Sequence, residues 1–283
     1  MTRRLTLGLA AVLTIGACTD ETTTSPQPSG PEFITGNFTR DFTHTWVGLA
    51  VFYADGVPSH SCSGSLISAT TFLTAGHCVA GVNSARIWFD QNAAADRTSG
   101  YFRSCGSPTR GPESCVFSND LRNFGFPAGF PNTKDVGVVL LDPSVDPFVT
   151  GLVARVGHGD LAPVGTLDRL ANRRGQQDVT FVSSGYGDNQ IKPFELWFGE
   201  RMMASSKLVN LQSALTDGFN VQTSANPGNG RGGTCFGDSG GPLLYQGQIV
   251  GVTSFGLNRN CKGVDFAYRV DRKEVHTWVA SQN

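Results

Sequence analysis

Apolar residues in this chain gather in short runs separated by glycine, proline and polar turns. Leu66 to Leu73 reads as an apolar strand, Val136 to Leu141 is a continuous run of Val, Gly and Leu, and Leu243 to Val252 reads as two strands joined by a glycine turn. Runs this short, bounded by turn residues, predict strands rather than helices. Residues 271–281 depart from the pattern. There Val275, Trp278 and Val279 recur at helical spacing, and Asp271 lies where an acid favours a helix start, so a C-terminal helix is expected. The pattern as a whole is that of an all-β chain.

The first residues read as an address. Arg3 and Arg4 precede an apolar run from Leu5 to Ala17, too short for a spanning helix, which needs ~20 residues, and suited to a secretory signal. The run ends in Ile15-Gly16-Ala17-Cys18 and resembles a bacterial lipoprotein signal, in which the cysteine is lipidated and becomes the mature N-terminus. The other reading is an ordinary signal cleaved near Ala17. Residues 18–33 lack core-forming side chains over most of their length and read as a flexible tether. The protein is therefore expected to be exported, either lipid-anchored through Cys18 or secreted to the periplasm or beyond.

Composition narrows the class. Charged residues make up 16% of the chain and the net charge is −1, so no basic surface is available for nucleic acid. With 39% hydrophobic residues there is material for a core, which excludes disorder, coiled coil and collagen. Of seven cysteines, Cys18 belongs to the leader; Cys62, Cys78, Cys105, Cys115, Cys235 and Cys261 remain. An even number suits disulfides in an oxidising compartment, although spacing alone leaves fifteen pairings open. No C-x-x-C pair occurs, so a structural zinc site is the weaker alternative.

Chemistry concentrates at one serine. Residues 235–242 read Cys-Phe-Gly-Asp-Ser-Gly-Gly-Pro. A serine hydroxyl is a poor nucleophile and needs a base, an acid to orient that base, and donors for the oxyanion it creates. Without Cβ atoms at Gly237, Gly240 and Gly241 the backbone can turn sharply, letting a substrate carbonyl approach the N–H groups of Gly237 and Ser239. His77, in Ala75-Gly76-His77-Cys78, follows a strand-like run, and a Cys62 to Cys78 bridge would fix it there. Asp135 stands at the mouth of the Val136 to Leu141 strand and, as a carboxylate beside an apolar run, needs a partner such as His77. His44, His60, His158 and His276 have no such company and are expected at the surface.

In these motifs the chain resembles the trypsin/chymotrypsin-type serine proteases over roughly residues 34–280: Ser63-Gly64-Ser65-Leu66-Ile67, Ala75 to Cys78, Asp135 to Val138, Ser184-Gly185-Tyr186-Gly187, Gly237 to Pro242 and Ile249 to Gly256. The resemblance implies two six-stranded antiparallel β-barrels followed by a C-terminal helix, with residues 34–150 carrying His77 and Asp135, 151–270 carrying Ser239, and 271–283 the helix. It further implies a monomeric serine endopeptidase that acts on protein or peptide substrates without metal or other cofactor. Activity is expected to be lost in acid, since His77 must be neutral to act as base. Substrate would pair with the edge Ser254-Phe255-Gly256. The pocket floor falls at Gly233, where a strict Arg/Lys-cleaving enzyme has Asp, while Asp265 could supply the charge instead; large apolar or broad specificity follows. The family's activation step, insertion of a new N-terminus beside the Asp preceding the nucleophile, points to Ile34 and Asp238; the alternative is that Asp238 finds another internal partner and no cut is needed. Cleavage there would also free the chain from Cys18. Cys235 with Cys261 matches a family bridge, leaving Cys105 with Cys115 in an extra stretch from Asp96 to Asn132.

Two rivals use the same residues. Gly237-Asp238-Ser239-Gly240-Gly241 also fits the G-x-S-x-G elbow of α/β-hydrolase esterases, but that elbow requires a helix directly after the serine, and Gly240-Gly241-Pro242 opposes one. A catalytically dead binding protein on the same scaffold typically lacks one of the three residues, and all three are present. Asp90, Asn92 and Asp96 offer oxygen ligands, yet too few carboxylates for a calcium loop.

Overall fold

The computed structural model describes residues 37–93, 115–170, 178–224, 226 and 230–282. Cys18, Ile34 and Cys105 lie outside them. In chain order the strands among the described residues are β1 (Thr39–Arg40), β2 (Val47–Ala54), β3 (Val57–Leu66), β4 (Thr71–Thr74), β5 (Ser84–Trp88), β6 (Val116–Ser118), β7 (Asp120–Asn123), β8 (Gly137–Leu140), β9 (Thr180–Gly185), β10 (Met202–Asn210), β11 (Asn220–Ser224), β12 (Pro242–Tyr245), β13 (Gln248–Gly256) and β14 (Val264–Arg269). The α-helical segments are α1 (Gly76–Val79), α2 (Leu152–Val156) and α3 (Lys273–Ala280), beside 3₁₀ turns at Pro147–Val149 and Leu167–Leu170.

Local chemistry explains where the strands turn. β2 and β3 meet at Asp55-Gly56, with φ of 51° and 80°, and β12 and β13 meet at Gln246-Gly247, with φ of 52° and 80°. Two positive φ values in a two-residue loop match the twist of paired strands. The second hairpin is the one expected from the glycine turn. Leu66 to Leu73 is not a single strand: β3 ends at Leu66 and β4 begins at Thr71. The polar turn residues Ser68 and Thr70, joined by a hydrogen bond, separate the two.

Each sheet rolls up into six strands. The first has the order β6-β5-β2-β3-β4-β8-β7. Only Asn119 separates β6 from β7, so its two edges are one segment bent through that residue. In the second, β1-β10-β11-β14-β13-β12-β9, β9 also pairs with β10. Six strands therefore close on themselves, with the two-residue β1 added outside through Thr39↔Met203 and Arg40↔Met202. The architecture is the two-barrel, all-β fold with a C-terminal helix that the sequence led one to expect.

The helix is shorter than its sequence signal. Asp271 is fully buried outside α3, where it accepts hydrogen bonds from Leu167 N–H and from the Arg269 guanidinium. Arg269 is itself buried and needs that carboxylate, so Asp271 serves a core ion pair and Arg272 precedes the helix. Val275 and Val279 are buried as expected, and Trp278 packs against Phe124 at 5.3 Å between ring centroids.

Polar groups tie the two sheets together near the site. Ser63 of β3 donates from its N–H to Ser239 O at 2.8 Å and from its hydroxyl to Gly237 O at 2.8 Å, and accepts from Tyr186 N–H at 2.9 Å. Arg201, 2% exposed, donates to the carbonyls of Asp41, Val47 and Phe89 and to the Tyr186 hydroxyl. Asp41 is fully buried. Burial alone would raise its carboxyl, but hydrogen bonds from His44 and Ser184 outweigh that and hold it well below the usual carboxylate range.

Candidate active site

His77 sits on the single turn α1, directly after β4. A Cys62–Cys78 disulfide, with Cα atoms 6.4 Å apart, ties that turn to β3. Such a loop closure is worth ~3 kcal/mol in the chain-entropy model. Both sulfurs of the Cys62, His77 and Cys78 cluster are consumed in the bridge.

Asp135, 2% exposed, stands just before β8. Its carboxylate accepts from His77 N–H at 2.8 Å, lies 3.1 and 2.9 Å from His77 Nδ1 through its two oxygens, and accepts from the Ser254 hydroxyl at 2.5 Å. A carboxylate offers no proton, so Nδ1 is the donor and Nε2 of the neutral ring keeps its lone pair.

Ser239 lies in the turn between Gly237 and Gly241, ahead of β12. Gly237 and Gly240 have φ of 91° and 79°. A Cβ on Gly240 would fall 2.1 Å from Thr74 Oγ1 and 2.6 Å from Ala75 N. Glycine is therefore required for the serine turn to press against the strand that leads to His77. Among the described residues, the N–H groups of Gly237 and Ser239 donate to nothing within the chain. His77 and Ser239 line one cavity, although no hydrogen bond joins them among the described residues. Such bonds often tighten only when substrate binds.

The same cavity is lined by Thr234, Ser254, Phe255, Gly256 and Asp265. β12 pairs with β13 only as far as Val252, whereas β14 continues to Phe255 and Gly256. Residues 254–256 thus keep one side open, with Ser254 turned inward toward Asp135 at a bulge in the register. Asp265 is 7% exposed and accepts from Thr234 N–H at 2.6 Å. Burial raises its carboxyl to about 6, against the opposing hydrogen bonds from Thr234. The exposed Arg259 and Lys262 stand at the mouth. Gly233 does not line this cavity. Gly233 lines the neighbouring cavity around Asp238, and Thr234 lines both.

Asp238 accepts from Gly187 N–H at 2.8 Å and Cys235 N–H at 2.9 Å. It forms no ion pair among the described residues. Enclosure by protein raises its carboxyl to about 7; the two amide bonds oppose the shift, and the charges of Asp265 and Asp188 add to it. Cys235 and Cys261 form the second bridge, with Cα atoms 5.1 Å apart. Cys115 is also disulfide-bonded.

Sequence reasoning missed several residues. Ser254 was expected only as a substrate edge, yet its hydroxyl completes the Asp135 network; nothing local in Thr-Ser-Phe announces that. Phe126 packs edge-on to His77 at 6.0 Å and Phe130 to Phe255 at 5.9 Å. The repeated Phe-Pro pairs at 126–127 and 130–131 were the available signal.

A protein-family model described as Trypsin matches residues 37–279. Brachyurin from Leptuca pugilator is 28% identical over 222 residues, covering 77% of this chain and 85% of its own. Among solved structures, human heparin binding protein superposes with a TM-score of 0.59 at 19% identity, covering 87% of this chain and 95% of its own. A scabies mite inactivated protease paralogue gives 0.59 at 16% identity, covering 84% and 93%. At such identities the two structures speak for the fold alone.

Proposed function

Because the chain belongs to the trypsin family and is a serine endopeptidase, we propose that it cuts peptide bonds through an acyl-enzyme formed on Ser239, with His77 as base and Asp135 as the orienting acid. His77 Nε2 takes the Ser239 proton as the hydroxyl attacks the substrate carbonyl; the free N–H groups of Gly237 and Ser239 receive the oxyanion; His77 then protonates the leaving amine. Water, deprotonated by the same ring, hydrolyses the ester. Asp135 holds the tautomer and stabilises the imidazolium, and the Ser254 hydroxyl keeps Asp135 aimed. The observation that carries this reading is the Asp135–His77 contact at 2.9 Å beside the cavity shared with Ser239 and two unused amides.

The acyl half of the substrate lies extended along Ser254 to Gly256, and its last side chain enters the cavity toward Asp265. That carboxylate, ionised above about pH 6, accepts Lys and Arg, while Phe255 and the apolar wall accept large uncharged side chains, giving broad specificity. A peptide panel varied at that one residue tests this. Broad cleavage including Arg and Lys supports the assignment, and cleavage confined to apolar residues removes it.

Activation is proposed to follow a cut before Ile34, whose new ammonium pairs with Asp238 and replaces the proton held there. The cut separates the barrels from the tether and from lipidated Cys18, so activation releases an exported monomer from its membrane. N-terminal sequencing of the active species tests this; activity in a form retaining residues before Ile34 rejects it.

A further inference from the structure

A second cavity, lined in part by Gly237, shares Phe236 with the one containing Ser239. His60, Asp188, Glu195, Trp197, Phe236 and Gly237 are among its lining residues, and of these only Phe236 also borders the first cavity. Gly237 carries one of the two unused amides. If the acyl half of a substrate occupies the cavity lined by Ser254 to Gly256, the chain beyond the scissile bond leaves past Gly237 into the second one. This inference rests on that reading of the site.

The second cavity is negatively charged. Asp188 and Glu195 both face it, and neither forms an ion pair among the described residues, including with the nearby Lys192. Asp188 is held by its own backbone, whose N–H donates to Phe236 O at 2.7 Å, and the Trp197 indole donates to Tyr186 O at 2.6 Å, so the wall is anchored rather than loose. Burial first, and then the charge of Glu195, raise the Asp188 carboxyl to about 6. Two other titratable groups line this cavity: His60 has Nε2 committed to Cys78 O at 2.8 Å and Nδ1 near Ser59 Oγ at 3.0 Å, and the Tyr186 hydroxyl donates to Asp90 O at 2.6 Å and accepts from Arg201. Two carboxylates facing one cavity repel each other, and a cation between them relieves that repulsion.

We propose that Asp188 and Glu195 are specificity-determining residues for the leaving half of the substrate, selecting Lys or Arg within the first three residues after the scissile bond. The enzyme would thereby read positive charge on both sides of the cut through separate carboxylates.

Acyl transfer isolates this half of the site. An ester with a large apolar acyl group forms the acyl-enzyme without drawing on Asp265, and added tripeptide amides then compete with water for it. Tripeptides carrying Arg at the first, second or third position are compared with matched Glu and Ala peptides, and the partition ratio is measured by product analysis. The expected result is about tenfold better capture by the best Arg peptide than by its Glu counterpart. The preference should shrink toward one in the Asp188→Asn, Glu195→Gln double variant while ester hydrolysis is unchanged. Equal capture of Arg and Glu peptides, or a preference that survives the double variant, overturns the inference while the ester hydrolysis leaves the proposed function standing. An ester left unhydrolysed overturns both.

Discussion

Asp135 and Asp238 are two carboxylates, one beside the histidine turn and the other beside the serine, and each accepts from backbone N–H: Asp135 from His77, Asp238 from Gly187 and Cys235. Their remaining partners differ. Asp135 also receives the His77 ring and the Ser254 hydroxyl, whereas Asp238, among the described residues, has only the amides of Gly187 and Cys235, and burial raises its carboxyl to about 7. Burial of Asp238 raises the cost of its charge, and its two amide bonds offset only part of it. The histidine half of the machinery is complete as it stands. The serine half holds an acid that forms no ion pair among the described residues.

The largest expected effect comes from breaking the complete half. Asp135→Asn keeps the side-chain shape but offers Nδ1 no anion, and kcat should fall on the order of 10⁴-fold with the melting temperature nearly unchanged, as read by steady-state kinetics beside a thermal melt. Next, removing the Cys62–Cys78 bridge by a double change to Ala should cost ~2–5 kcal/mol in denaturant unfolding and lower activity as the His77 turn loosens.

The incomplete half gives a pH-dependent signature. A carboxyl whose folded pKa lies above its unfolded value destabilises the fold as pH rises from about 4 to about 7, because the unfolded chain releases the proton first. Asp238→Asn in the uncut chain should therefore match wild type near pH 4 and exceed its stability by roughly 4 kcal/mol at pH 8. The same variant should not be activated by the cut before Ile34. Equal stability at both pH values would show that Asp238 has a cationic partner. The smallest effect belongs to Asp265→Asn, which should lower kcat/KM for Arg and Lys substrates by about tenfold and leave apolar substrates untouched.

Much of this was legible in the chain. The serine turn could be read because its glycines are demanded by close approach: Gly240 meets Thr74 and Ala75 with no room for a Cβ. Asp135 could be read because a charge at the end of an apolar strand must find a partner. The strand count could be read only as six per barrel, since the bend at Asn119 and the short β1 depend on pairing with distant segments. Asp271 misled for a related reason: its helix signal is local, whereas its partner Arg269 and its burial are tertiary. Ser254, Asp188 and Glu195 gain their meaning only from groups brought beside them by the fold.

The most direct test of the account is covalent labelling with a serine-directed phosphonate, followed by mass spectrometry of proteolytic peptides, on the full chain and on a chain beginning at Ile34. The account predicts one adduct on Ser239 in the chain beginning at Ile34, lost in both Ser239→Ala and His77→Ala. No adduct at Ser239 in either chain, or one that persists without His77, would contradict it.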